Sequence, residues 1–326
     1  MTQEYIAVIG AGLAGAVVSN RLTQAGHKVT VFEKSRGSGG RMASCRLPDT
    51  SCDLGAPWIE PVSEAFRQWL LTQPGVTAWM PESTDFNGLP IQKKVYLTRP
   101  RQSSLTRHLL ANAEFKTQVR VGQLRASGGH GIALWDEQGN SLGGYDKVIV
   151  TAPAPQALPL LQSEPEIHYA LNRVGTRPCW VMLVACPADA SPTHDLIEGE
   201  HPVFSRIICE SSKTGSTTAA QLTIWRLEAN PHWSAEHIEC SPQTIAQKLT
   251  DAFSQTSLAP SSVEVLRVHR WLYCTHIHPR PGDFYFNPAS GVGACGDWFG
   301  EQGVESAWQS ASALADQLLQ NTDYSS

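Results

Sequence analysis

An apolar run ending in three closely spaced glycines constrains this chain more than any other stretch: Ile6-Ala-Val-Ile-Gly10-Ala-Gly12-Leu13-Ala14-Gly15. The residues before Gly10 read as a buried strand, and those after Gly12 as the start of a helix. Gly10 permits a tight turn out of the strand. Gly12 lets backbone amides approach a ligand that a side chain would block, and Gly15 lets helix and sheet pack closely. The helix N-terminus then offers unpaired N–H groups and a partial positive charge to a phosphate. His27–Glu33 reads as the next strand and ends in an acid eighteen residues after Gly15. A carboxylate there accepts hydrogen bonds from ribose hydroxyls and repels a 2′-phosphate. The pattern predicts an α/β chain with a Rossmann-like domain for an adenine dinucleotide.

The residues after the acid narrow the cofactor. Lys34-Ser-Arg36-Gly-Ser-Gly-Gly40-Arg41-Met42 places two guanidinium forks in a glycine loop. That arrangement suits a pyrophosphate wrapped from both sides, and so FAD rather than NAD. A second signature lies near the other end. Val292-Gly-Ala-Cys-Gly296-Asp297 reads as a short buried strand ending in Gly-Asp, and Gly303-Val304 opens a helix. The apolar face of that helix is Val304, Ala307, Trp308, Ala311, Leu314, Ala315 and Leu318. Asp297 can bind a ribityl hydroxyl, and the helix N-terminus at Gly303–Val304 can hold the end of a flavin where negative charge gathers on reduction. Leu13, Ala14, Lys34, Met42 and Val119, the last in a strand predicted over Gln118–Arg125, complete the cofactor contacts expected outside residues 53–56.

Composition limits the remaining classes. The chain has 326 residues and a net charge of −5, so no nucleic-acid partner or acidic membrane surface is implied. The apolar start lacks a basic n-region and carries Glu4, which argues against a signal peptide; a cytoplasmic location is expected, without stable membrane association. The eight cysteines form no C-x-x-C pair and read as free buried thiols. Cys274-x-His276-x-His278 has metal-ligand residue types, but prolines at 279 and 281 follow at once, and no metal site is expected.

Alternating patterns after residue 117 predict a small meander: strands Gln118–Arg125 and Ile132–Asp136, turns at 127–131 and 139–144, and a buried return strand over 146–153. Trp180–Ala185, Val203–Glu210 and Ala220–Leu227 read as strands, with the polar loop 211–218 the most flexible connection. Ser241-Pro242 reads as N-cap and first residue of a helix facing inward through Ile245, Leu249, Ala252 and Phe253. The division that follows is a discontinuous FAD-binding domain (1–60, 98–172 and 263–320) with an inserted α+β substrate domain (61–97 and 173–262) and a frayed tail at 321–326. Val263–Tyr273 reads as a strand, so His269, Trp271 and Tyr273 share one face. Such a face can stack on a planar ligand or form an aromatic core stripe.

Several of these stretches resemble one family. Phe32–Met42, Asp53-Leu-Gly55-Ala56, Val150–Gln156, His269-Arg-Trp-Leu-Tyr273 and Cys295-Gly-Asp-Trp298, with Val304-Glu305 and Ala307-Trp308, are similar to the renalase-like branch of the flavin-containing amine oxidase superfamily, the bacterial renalases above all. The resemblance implies noncovalent FAD, with Gly55 and Ala56 among its contacts. It also implies a small-molecule substrate, a 2- or 6-dihydro isomer of NAD(P)H, whose hydride passes to flavin N5. Molecular oxygen is the implied acceptor, giving hydrogen peroxide. His269, Trp271, Tyr273 and Trp298 are the expected positioning residues for that reaction, which needs no catalytic base. The chain departs from the branch at Pro57-Trp58-Ile-Glu60, where Gln-Tyr-Phe-Thr is usual, and this alters the substrate side rather than the flavin side. An amine oxidase or a carotenoid-type desaturase on the same scaffold, and a flavin-binding module without turnover, are the rival readings.

Overall fold

The computed structural model describes residues 2–47, 50–127, 131–187, 194–213, 222–256, 258, 262–280, 282–301 and 303–323. Its first sheet has six strands, in the order Tyr285–Asn287, Val292–Ala294, Lys147–Val150, Tyr5–Ile9, Lys28–Glu33 and Glu114–Thr117. All neighbours are parallel except the edge strand Tyr285–Asn287. The central strand is apolar on both faces because both are covered. Ile6 and Val8 face the first helix (Leu13–Gln24) and the C-terminal helix (Gly303–Asp323), while Ala7 and Ile9 face the meander side. The periodic residues Ala311, Leu314, Ala315 and Leu318 are buried against the first helix, as their spacing predicts.

The second sheet has seven strands, in the order Glu264–Ile277, Gly175–Pro187, Leu222–Ala229, Phe204–Cys209, Leu196–Glu198, Ser83–Thr84 and Pro90–Ile91. Its outer face packs on the helix Pro242–Phe253 through Ile245, Leu249 and Phe253. Ser241 caps that helix by accepting the Thr244 N–H at 3.1 Å. Ser241→Ala is expected to cost about 1 kcal/mol, read as a lower denaturant midpoint with an unchanged slope.

Five expectations differ from the structure. The strand Glu264–Ile277, placed by linear order with the FAD-binding domain, pairs with Gly175–Pro187 in the second sheet. The helix Glu64–Leu71, placed with the substrate domain, buries Phe66 and Leu70 in the core of the first. Partner choice is non-local, and an apolar run carries no mark of which sheet it joins. In the meander, Gln118 has φ +59, so the strand predicted over Gln118–Arg125 begins only at Val121 and runs to Ser127, while Glu114–Thr117 pairs separately in the first sheet. Ser141–Tyr145 is a strand rather than a turn, because its glycines pair edge-on with Gly131–Asp136. The C-terminal helix continues to Asp323, past the expected fraying point. Residues 128–130 of the predicted turn, 214–218 of the polar loop and 324–326 of the tail lie outside the described residues. No helix among the described residues is long and apolar enough to cross a membrane.

Candidate active site

The glycine loops meet at the end of the central strands. Gly39 N–H donates to Ala11 O at 2.8 Å, which lays the arginine-bearing loop on the first glycine turn. Glu33 ties both together: its carboxylate accepts Ala11 N–H at 2.9 Å and Ser35 N–H at 2.8 Å. Val119 joins them by donating its N–H to Glu33 O at 3.0 Å. Gly15 packs so tightly that a Cβ there would lie 2.0 Å from Gly10 O. In front of the helix the reverse holds. A Cβ on Gly12 would meet only Gly40 Cα, at 4.0 Å, and no side chain or acidic residue caps the first turn of Leu13–Gln24. An uncapped helix N-terminus between two glycine loops fits a pyrophosphate. Leu13 and Ala14 are buried in that turn, while Lys34 and Arg36 stand exposed at the loop.

The distant Gly-Asp motif arrives at the same place. Asp297 receives both arms of the Arg41 guanidinium, Nη1 at 2.6 Å, and contacts His276 Nδ1 at 3.1 Å. Burial disfavours the Asp297 carboxylate, but Arg41 and His276 outweigh it and hold the carboxyl well below its usual range. The two groups expected to bind different parts of FAD are thus each other's partners. Ala56 N–H donates to Arg41 O at 2.7 Å, and Gly55 N–H to Ala43 O at 2.9 Å, so Gly55 and Ala56 lie against the arginine loop. Met42 is core. Gly296 N–H donates to Ser310 Oγ at 3.0 Å, anchoring the motif to the C-terminal helix. At the start of that helix Val304 is half-buried beyond Gly303, and Glu305 accepts Val62 N–H at 2.6 Å and Ser63 N–H at 3.0 Å.

On the substrate side, Trp271 donates its indole N–H to Leu54 O at 2.8 Å, one residue before Gly55. His269 packs edge-on to Trp271 with ring centroids 4.4 Å apart. Strict alternation would add Tyr273, but the register with Gly175–Pro187 shifts opposite residues 272–274. Cys274, not Tyr273, joins Trp271 in the small cluster with Cys52, Leu54, Cys179 and Val181. Trp298 is a correction: it is fully buried, stacks on Phe299 at 4.1 Å and donates to Ala152 O at 3.1 Å. Trp298 packs in the core of the first sheet with Val150, Ala154 and Phe299, whereas Trp271 belongs to the cluster around Leu54, so the two do not share a wall.

Burial, reinforced by Arg267, holds the His269 imidazole below its usual range; burial also lowers His201, and at His27 it outweighs Glu4. These groups bind protons more readily in the unfolded chain, so stability falls as pH drops through the unfolded value of about 6.5. The thermal midpoint is expected to be lower at about pH 5.5 than at about pH 7.5, and His269→Gln to flatten part of that difference. A midpoint that rises on acidification in this window contradicts the assignment.

Sequence reasoning missed a charged strip on the inner face of the second sheet: Arg206, Arg226, Glu228 and Glu198, with Lys93. The signal was present as Arg226-x-Glu228, two charges on one face of the otherwise apolar strand Leu222–Ala229. Trp58, the unusual residue of the 57–60 segment, is held between Lys93 (5.1 Å) and Arg206 (5.3 Å). Glu60 pairs with the same Lys93 at 3.5 Å, and Glu198 does so at 2.6 Å. Two open cavities lie away from the glycine loops. One, about 570 Å³, is lined by His201, Phe204 and Asn230; the other, about 680 Å³, by Met80, Pro90, Lys93 and Lys94.

Comparison with known proteins gives two family matches. Residues 8–71 match the NAD(P)-binding Rossmann-like domain, and residues 62–319 match the flavin-containing amine oxidoreductases. Among curated proteins, the chain is 40% identical over 62 residues to a 4,4'-diapophytoene desaturase (4,4'-diaponeurosporene-forming) of Staphylococcus haemolyticus, and 44% identical over 62 residues to that of Staphylococcus aureus strain Newman. Each match covers 19% of this chain and spans only 12% of the relative's length. Among solved structures, an oxidoreductase from Methanosarcina mazei superposes with a TM-score of 0.71 at 13% identity, covering 96% of this chain and 100% of that one. A triple mutant of putrescine oxidase superposes with a TM-score of 0.70 at 10% identity, covering 98% and 99%. These likenesses show the shared fold: a Rossmann-like domain joined to an amine-oxidase-type domain.

Proposed function

The chain belongs to a family of FAD-dependent oxidoreductases, the flavin-containing amine oxidoreductases, and from that premise we propose that it oxidises a small, hydride-donating molecule as the bacterial renalases do. The observation that carries the reading is the convergence of Gly12, Glu33, Arg41, Gly55 and Asp297 on one place, with Trp271 packed on the Leu54 carbonyl beside it. FAD, bound noncovalently in this proposal, would supply the hydride acceptor at N5, with molecular oxygen as the proposed electron acceptor. The chain's own residues hold and orient. The Gly10–Gly15 turn and the helix behind it receive the pyrophosphate, Glu33 the ribose, and Arg41 and Asp297 the middle of the cofactor. Trp271 and His269 wall the substrate side, and the neutral imidazole adds no charge to it. A donor of the dihydronicotinamide type, a 2- or 6-dihydro isomer of NAD(P)H, loses hydride without losing a proton, so no base is asked of the protein.

The proposed division follows sheet membership: 1–60, 98–172 and 278–320 for the cofactor, and 61–97 with 173–277 for the substrate. The helix Glu64–Leu71 packs across the divide. The desaturase reading fits less well, because an apolar tunnel does not suit a wall bearing Arg226, Glu228 and Arg206. The test is anaerobic mixing of the FAD-loaded protein with 2- and 6-dihydroNAD(P), with primary amines and with no donor, followed by flavin bleaching. Faster bleaching by the dihydronicotinamides is expected. Bleaching by amines alone replaces this reading with an amine oxidase, and bleaching by none with a binding module.

A further inference from the structure

The inner face of the seven-stranded sheet changes character across two strands. Val181, Leu183 and Ile224 form an apolar cluster there, and beside them stand Arg226, Glu228 and Arg206. Arg226 is only 2% exposed. Its Nη2 lies 2.9 Å from Glu228 Oε2 and 3.4 Å from Leu54 O, yet its Nε and Nη1 have no hydrogen-bond acceptor among the described residues. Arg206 Nε, buried as an atom, lies 3.5 Å from Glu228 Oε1 without the alignment of a hydrogen bond. Two guanidinium forks therefore flank one carboxylate; three N–H-bearing nitrogens remain unmatched against one unmatched acceptor, Glu228 Oε2, whose 2.9 Å approach to Arg226 Nη2 lacks the alignment of a hydrogen bond. Buried charged donors without acceptors are costly and uncommon. The forked geometry matches a carboxylate or a phosphate, which can accept two parallel N–H bonds. Position adds a second argument. Leu54 O takes both Arg226 Nη2 and the Trp271 indole, so the Arg226 fork is fixed to the segment that leads into Gly55 and Ala56.

We propose that Arg226 and Arg206 form a clamp for an anionic group, a carboxylate or a phosphate, carried by the substrate. The proposal rests on the placement of the substrate beside Leu54 and Trp271 in the proposed function, and it deepens that reading: the donor is an anionic molecule rather than a neutral or purely cationic amine. Glu228 stands between the two forks, and Arg206 also lies over the Trp58 ring.

The test uses the oxidised, FAD-loaded protein and two probes, inorganic pyrophosphate and benzoate, titrated separately. Binding is read from the change in flavin absorbance and from the rise in thermal midpoint. At least one anion is expected to bind the wild type; pyrophosphate alone identifies a phosphate group, and benzoate a carboxylate. Arg226→Met and Arg206→Met are expected to weaken that binding about tenfold or more. Arg226→Lys keeps the charge but not the fork, and with Glu228 still paired it protects the test against a misfolded Met variant; a smaller loss is expected. Arg125→Met, on the exposed meander, is the control with unchanged binding. Failure of both anions to bind the wild type overturns the clamp, as do wild-type dissociation constants in both Met variants. Loss of FAD itself from Arg226→Lys also overturns it, since the fork would then serve the cofactor. Anion binding through Arg226 in a protein that no dihydronicotinamide or amine reduces keeps the clamp and removes the proposed function, so the two failures are distinct.

Discussion

Gly15→Ala is expected to produce a colourless protein. Alanine in a helix interior ordinarily stabilises by up to about 1 kcal/mol relative to glycine. Here the added Cβ would stand 2.0 Å from Gly10 O and 2.8 Å from Thr151 Oγ1. Thr151 cannot yield freely, because its hydroxyl donates to the carbonyls of Ile9 and Gly10 at 3.0 and 3.1 Å. The helix must move off the sheet, at a cost of about 3 kcal/mol by overpacking. The same shift pulls the uncapped helix N-terminus away from the opening at Gly12, so FAD affinity should fall about a hundredfold or more, equivalent to about 2.8 kcal/mol. Fluorimetric FAD titration of the apoprotein measures the second effect and urea unfolding the first. A variant that purifies yellow with wild-type stability would show that Gly15 is not the contact between helix and turn.

The second large effect is expected at Asp297. Asp297→Asn removes the buried carboxylate facing Arg41 and His276 and leaves a half-buried guanidinium without its counter-charge. Breaking one partner of a fully buried pair costs about 3–5 kcal/mol, and the solvent access kept by Arg41 puts the expected loss at the lower end, about 3 kcal/mol, against a total stability of about 5–15 kcal/mol. The pH dependence gives an independent check. The folded carboxyl lies below its unfolded value of about 3.9, so its stabilisation is fully present above that value and is lost as pH falls toward the folded one. The wild type should therefore lose stability steeply in acid, and Asp297→Asn, already weakened at neutral pH, should lose less. Parallel acid-unfolding curves would count against the pairing. FAD retention should fall with stability, since Arg41 and Asp297 also stand where the two halves of the cofactor site meet.

Most of the geometry proposed for the cofactor was legible in the sequence because it is local. Gly10, Gly12, Gly15 and Glu33 act through a strand, a turn and a helix start, and the loop with Arg36 and Arg41 follows within a few residues. Even the distant Gly296-Asp297 was readable, since a short buried strand before a periodic helix has its own pattern. The direct Arg41–Asp297 pair was not, because nothing in either motif says that the two side chains face each other. The substrate side was legible only in part. His269 and Trp271 sit together as alternation requires, whereas a register shift removes Tyr273 from Trp271, and Trp298 packs in a different core cluster.

The sequence by itself determined the class of fold and the cofactor, because glycine spacing, helix polarity and a strand-end carboxylate act over a few residues and tolerate little variation. The tertiary structure alone decided that Glu264–Ile277 belongs to the second sheet, and that Trp58, Lys93, Arg206, Arg226 and Glu228 share one inner wall. Those residues come from four separate stretches of chain. Strand pairing brings them together, and pairing is chosen by long-range burial rather than by any local preference of the residues themselves.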